Sequence, residues 1–237
     1  MTIIGCRSTQ DIIGDQYLLD SNVVIKNEQL LKNDPLNLLL VNQPNSKVFG
    51  IPLKLNLYDL ANPNPDSIFD TWLLKKPKRK SRLEKLLSAK QVMELKRFKG
   101  KFNNWLKSSG ETPVLLDSIA ITKNTKRFEQ YLKNKGYFDT HVSVEKTILP
   151  KQKITVKYHI KTGKQYTIDS ISRNIASPSL DSLYQNASKN QIINSGDPFE
   201  IDRFETERSR LINYFRNNGV YNFQQNSLKF TAAIDST

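Results

Sequence analysis

A single cysteine, Cys6, stands among 237 residues, so the chain can form neither an internal disulfide nor a thiolate metal cluster. Histidine is almost as scarce. His141 and His159 are the two present, and two imidazoles without a nearby acid or thiolate do not make a zinc site. No apolar run approaches the roughly 18 residues that a membrane-crossing helix requires. A glycine-rich phosphate loop, a metalloprotease His-Glu pair and a nucleophile elbow are also missing. These absences leave no constellation for catalysis, a cofactor or a metal, and they predict a protein that binds rather than transforms. Acidic residues are few too: 23 against 36 Lys and Arg, a formal charge of +13.

That excess is concentrated between Lys75 and Lys107, where thirteen Lys/Arg meet only Glu84 and Glu94. Two explanations stay open. The segment attracts phosphate, with Lys75, Lys76, Lys78, Arg79 and Lys80 as candidate contacts to anionic lipid headgroups, or it is a solvated helix face with surplus lysine. Nucleic acid is not the expected partner. Phe98, Phe102 and Trp105 interleave with the charges, but their spacing predicts the buried side of a helix, together with Leu83, Leu86, Leu87 and Leu106. Lysine also outnumbers arginine there, which disfavours forked reading of base edges.

The strongest positive feature is a repeat. Arg127-Phe128-x2-Tyr131-Leu132-x3-Gly136-Tyr137 matches Arg210-Leu211-x2-Tyr214-Phe215-x3-Gly219-Val220-Tyr221. Apolar positions at i, i+3 and i+4 make one helix face, and each glycine falls where a helix ends in a left-handed residue. Strand-like segments follow both glycines. A duplicated α/β module points to a docking scaffold before an enzyme.

Along the chain, residues 1–16 read as a polar tether. Residues 17–70 read as a short first unit: a strand over Tyr17–Ile25, a helix from Asp34-Pro35, and a strand from the alternation of Leu53, Leu55 and Leu57. Residues 71–109 predict one or two basic amphipathic helices, with a capping box at Ser81-x2-Glu84 and an interruption near Gly100. Residues 110–164 predict a strand at Val114–Leu116, a helix over Asp117–Ile121 and a second capped by Thr125. A hairpin of His141–Glu145 with Ile154, Val156, Tyr158 and Ile160 completes that unit. Residues 165–237 repeat the scheme: a strand at Tyr166–Ile171, a helix from Pro178, a helix capped by Asp202, and strands at Tyr221–Phe223 and Leu228–Ala232. Asp202, Glu205 and Glu207 suit a helix start through the dipole. The spacing between the last two units predicts restricted motion. The fold class is α+β.

These residues resemble a known family. Phe128, Tyr131, Leu132, Gly136 and Tyr137 with the 154–160 strand, then Gly196-Asp197-Pro198-Phe199 with Arg208, Arg210, Tyr214, Phe215 and Gly219, are similar to POTRA domains. Those are the strand-helix-helix-strand-strand modules of the BamA/TamA outer-membrane assembly family. Gly50-Ile51-Pro52-Leu53, Tyr58-Asp59-Leu60-Ala61-Asn62-Pro63 and Gly110-Glu111-Thr112-Pro113-Val114 resemble its lipidated TamA-like branch (TamL) in Bacteroidetes. The resemblance implies tandem POTRA-like modules on the periplasmic side of the outer membrane, next to a β-barrel outside this sequence. It implies no cofactor, and as partners the protein clients or subunits of an assembly complex. Cys6, after Ile3-Ile4-Gly5, would be a lipidated cysteine behind a trimmed signal. Phe128, Tyr131, Gly136, Pro198, Phe199, Tyr214 and Gly219 would define the fold. The basic stretch 71–109 and the abbreviated first unit depart from the family pattern. Physically, an extended client can add to a sheet edge, for which the lightly charged Ile154, Val156, Tyr158 and Ile160 are the candidate. The alternative is an independent outer-membrane lipoprotein adaptor that binds partner proteins without a barrel.

Overall fold

The computed structural model describes residues 16–62 and 64–234, so Cys6 and nearly all of the expected tether lie outside the described residues. Strand β1, Leu18–Lys26, runs unbroken through Asp20-Ser21-Asn22. Three side-chain partners replace the turn that these polar residues favour elsewhere. Asp20 pairs with Lys47 at 2.9 Å, Ser21 with the Thr155 hydroxyl at 2.9 Å, and Asn22 donates to the Asn42 carbonyl at 2.7 Å. A tight turn through Asn27 and Glu28, both at positive φ, reverses the chain into β2, Gln29–Leu30. Asp34 then accepts from the Leu36 amide and caps α1, Pro35–Leu38, which starts at the proline as expected but runs for a single turn.

The sheet is completed by β3, His141–Leu149, and β4, Lys153–Lys161, joined through Lys151 and Gln152 at positive φ. Its strand order is β2-β1-β4-β3. The Leu18 amide donates to the Gln152 carbonyl and the Asn27 amide to the Ile160 carbonyl, both at 2.9 Å, so β1 runs parallel to β4. This corrects the separate unit expected over 17–70, because its strand belongs to the sheet of the 141–161 hairpin. A strand's partner is a property of tertiary pairing, and nothing local to residues 18–26 names it.

The described residues divide into two compact units, one within 16–23, 40–121 and 144–158, the other within 24–39, 122–143 and 159–234. In the first, the Leu53–Leu57 alternation is helical: α2 spans Leu53–Asp59 with Leu55 buried. Three alternating leucines include an i, i+4 pair, so a segment this short fits both periods. Helix α3, Pro65–Leu74, has no basic residue; α4, Pro77–Leu86, and α5, Ala89–Ser109, carry the basic stretch. The helices break at Lys75-Lys76 and at Leu87-Ser88, and not at Gly100, which lies inside α5. Pro77 causes the first break, since it starts α4 and forces Lys76 into an extended conformation, φ −127°. The capping box forms at Ser88 and Gln91, not at Ser81 and Glu84.

Helix α6, Ser118–Asn134, is continuous where two helices were expected, and the Asp117 carboxylate accepts from the Ile119 amide at its start. In the second unit, α7, Pro178–Ala187, and α8, Ile201–Asn217, form as the sequence predicts, although α8 begins beside Glu200 and Asp202 does not cap it. Leu211, Ile212, Phe215, Ala187 and Phe223 make one core cluster there. The strands expected at 166–171, 221–223 and 228–232 do not form, and no strand follows Lys161 among the described residues. A ladder needs a neighbouring backbone in register. Residues 166–168 find no such partner: they bond to the 196–199 turn, with one bridge between Thr167 and Pro198, and the Tyr166 amide turns to the Gly136 carbonyl. The α+β class holds, and helix outweighs strand.

Candidate functional site

The repeated glycines end their helices in the same way. Tyr137 donates to Leu132 at 2.9 Å and Gly136 to Lys133 at 3.0 Å; Val220 donates to Phe215 at 3.0 Å and Gly219 to Arg216 at 3.4 Å. With φ of 82° and 94°, these are two Schellman closures. Phe128 and Leu132 are buried, as are Leu211 and Phe215, while Tyr131 and Tyr214 are half-buried. The two helix ends are therefore alike in backbone closure and in the burial of their apolar face, although Gly136 is buried and Gly219 exposed.

Gly136 does more than cap. A Cβ there would stand 2.5 Å from the Phe199 carbonyl oxygen and 3.3 Å from that of Tyr166. The Tyr166 amide donates to Gly136 and the Phe199 amide to Tyr166, so three chain segments close on this glycine. Phe138 packs against Tyr166 and Phe199, with ring centroids 5.1 and 5.3 Å apart, and Phe199 continues to Phe204 at 5.1 Å. Lys135 joins Asp202 at 2.9 Å, and that hydrogen bond raises the ammonium pKa. Asp202 is thus a tie to the end of α6. Within this unit the 136–140 and 166–204 segments are held by backbone, aromatic and ionic contacts together.

Beside this junction, Gly196, at φ 84°, starts the Gly-Asp-Pro-Phe turn. The Asn194 amide and then Arg203, 2.7 Å away, hold the Asp197 carboxyl below its ordinary pKa. Pro198 is exposed and Phe199 half-buried. Glu207 is the residue that the sequence did not single out correctly. It is buried, takes two hydrogen bonds from Arg210 at 2.7 and 2.8 Å, and accepts from the Ile192 amide at 3.1 Å. Arg210 also donates to the Ala187 carbonyl, and its pairing with Glu207 raises its pKa further. The available signal was the Glu-x-x-Arg spacing on an apolar helix face, which permits an i, i+3 pair.

In the first unit residues 110–111 close on α2 at Lys54 and Tyr58. A Cβ on Gly110 would lie 2.6 Å from the Tyr58 backbone nitrogen. The Glu111 amide donates to Lys54, next to Leu53, and the Glu111 carboxylate accepts from both the hydroxyl and the amide of Ser46 at 2.6 and 2.8 Å. Those bonds, the hydroxyl first, lower the Glu111 pKa from 4.5 to about 2. Buried Asn45 spans Pro113, donating to Thr112 O at 2.8 Å and accepting from Val114 N at 3.0 Å. Buried Asn103 likewise clamps both backbone groups of Asn62, at 2.6 and 2.9 Å, and fixes α5 to the end of α2.

The strand expected to receive a client is in the wrong place for it. Ile154, Val156, Tyr158 and Ile160 are all buried, and β4 lies between β1 and β3 with both neighbours bonded. Light charge marked these residues as interior, not as an edge. The ends of the order are the two-residue β2 and the nine-residue β3. On β3, His141, Ser143, Glu145, Lys146 and Ile148 are exposed. Glu145 pairs with Lys157 at 2.8 Å. His141 and His159 lie on the two hairpin strands, and among the described residues no group of three or more His, Cys, Asp or Glu is placed to hold a metal ion.

In the basic stretch, Lys75, Lys76, Lys78 and Lys80 are exposed. Arg79 is engaged: its guanidinium stacks on Trp72 at 4.6 Å and donates to the Trp72 carbonyl at 2.5 Å. The expected buried face is mostly turned outward. Leu106 is buried, but Leu86, Phe98, Phe102 and Trp105 are exposed. Among the described residues no helix is long and apolar enough to cross a membrane. No family model, curated protein or solved structure matches the chain.

Proposed function

We propose that this chain is a periplasmic docking and chaperone-like scaffold of an outer-membrane protein insertion or translocation machine, built on POTRA-type modules. It receives extended clients by strand pairing. The observation that carries this reading is β3, nine residues long at one end of the strand order. An antiparallel or parallel newcomer gains main-chain hydrogen bonds from such an edge whatever its sequence, and alternate side chains decide preference. Glu145 and Lys146, exposed on β3, guard it against indiscriminate pairing, as charges on natural edge strands do. The strand-helix-strand-strand path of β1, α6, β3 and β4, with β4 between a parallel β1 and its hairpin partner β3, supports the POTRA comparison. In this reading the partners are extended outer-membrane clients and the subunits of the assembly complex, and Cys6 carries the lipid that holds the chain at the outer membrane.

Proline scanning along β3 tests the proposal against photo-crosslinking of an extended client peptide from residues 141, 143 and 145. Prolines that remove a β4 bond unfold the sheet, visible by circular dichroism. Prolines on the outward N–H positions leave the sheet intact and abolish crosslinking. Full crosslinking at every folded position refutes strand addition at β3. Loss of acyl incorporation in C6S, with retention in the parent, tests the anchor separately.

A further inference from the structure

We propose that the Phe98–Phe102–Trp105 face of α5 is an interfacial surface that lies on a bilayer with anionic headgroups. The three aromatics, at i, i+4 and i+7, share one side of the helix, and they are 64%, 51% and 52% exposed. The Phe102 and Trp105 rings stack with centroids 5.7 Å apart and planes 25° from parallel, forming one apolar plate at the surface. The other side of α5 is already spent: Asn103 and Leu106 are buried, Lys96 pairs with Asp70 at 3.0 Å, and Lys99 sits 4.4 Å over the Trp72 ring. The helix thus has its structural contacts on one side and large aromatics on the other.

Charge selects the occupant. Lys90, Arg97 and Lys101 lie along one flank of the aromatic stripe by helical spacing, and all three are exposed. Arg97 pairs with Glu94 at 2.9 Å, and Lys90 and Lys101 form no ion pair among the described residues. The surrounding stretch 75–107 has thirteen basic residues and two acidic ones. A helix with aromatics on one face and lysines beside them suits the headgroup boundary, where rings enter the acyl margin and cations meet phosphate. A protein groove would supply apolar area but has no reason to match this charge density. A single-stranded nucleic acid would match both and is one of the outcomes tested.

The proposal is independent of client pairing at β3, and β3 proline variants that fold should bind vesicles as the parent does. Full-length protein is sedimented with phosphatidylcholine vesicles and with phosphatidylcholine–phosphatidylglycerol vesicles. A W72F background leaves Trp105 as the sole indole, and acyl-brominated phosphatidylglycerol reports its depth by quenching. The expected result is binding to the anionic vesicles alone, quenching of Trp105, loss of that quenching in F98S/F102S, and loss of binding in F98S/F102S/W105S at unchanged helicity. Each charge reversal among Lys90, Arg97 and Lys101 should weaken binding about fivefold. Vesicle binding unchanged in the triple variant overturns the proposal. So does Trp105 left unquenched, an aromatic-dependent self-association without lipid binding, or tighter binding to single-stranded DNA than to anionic vesicles.

Discussion

Gly136 and Gly219 occupy the same position in two copies of one motif, yet replacing each with alanine should have different consequences. Both lie at positive φ, where an L side chain costs roughly 1–2 kcal/mol. Alanine also restrains the unfolded chain, which returns about 0.4–1 kcal/mol. At Gly219 nothing lies within 4 Å of a new Cβ, so the conformational difference is the whole effect, a loss of roughly 1 kcal/mol. At Gly136 the new Cβ meets the Phe199 carbonyl oxygen at 2.5 Å, and that oxygen belongs to backbone that cannot rotate away. Forced repacking of this kind adds roughly 1–3 kcal/mol. G136A should therefore fall below G219A by about that amount in urea unfolding followed by far-UV circular dichroism. Both sites belong to the same unit, so its own cooperativity is common to the two variants. Equal destabilisation, or a greater loss in G219A, would refute the steric closure of residues 136, 166 and 199.

Acid should weaken the first unit through Glu111. Its folded pKa of about 2 lies below the ordinary 4.5, so its contribution is complete above pH 4.5 and is lost as pH falls towards 2. E111Q should flatten that part of the thermal-stability profile, and an unchanged acid limb counts against the Ser46 assignment. R210M should cost roughly 3–5 kcal/mol by leaving Glu207 buried without its cation, whereas the double variant E207Q/R210M should recover much of the loss. Equal stability of the single and double variants, measured by chemical denaturation, would show that the pair does not act as a unit. N103A removes both bonds to Asn62 and should cost about 1–3 kcal/mol, with the first loss of hydrogen-exchange protection in α2 and α5. Uniform protection in that variant would refute the clamp.

The helix ends at Gly136 and Gly219, the start of α1 at Asp34-Pro35, helices α7 and α8 and the 141–161 hairpin were legible because their signals are local. A glycine after an i, i+3, i+4 stripe or a proline at a first turn restricts φ and ψ whatever surrounds it. The candidate site was legible only in part. Alternation identified β4 as a strand, but burial on one face is the same for an edge and a central strand, and a three-leucine alternation at 53–57 satisfied the helical period equally well. The expectation for Phe98, Phe102 and Trp105 failed for a related reason. An apolar stripe shows that a helix has a face, not that the rest of the chain covers it.

What residues near one another in the chain dictate here is the α+β class, the helix caps, the basic stretch and the duplicated aromatic-glycine closure. The pairing of β1 with a strand more than a hundred residues later, the exclusion of β4 from the edge, the burial of Glu207 with Arg210 and the outward turn of the α5 aromatics depend on which distant segments meet. Backbone conformation responds to its immediate neighbours, whereas edge position, burial and exposure belong to the assembled molecule.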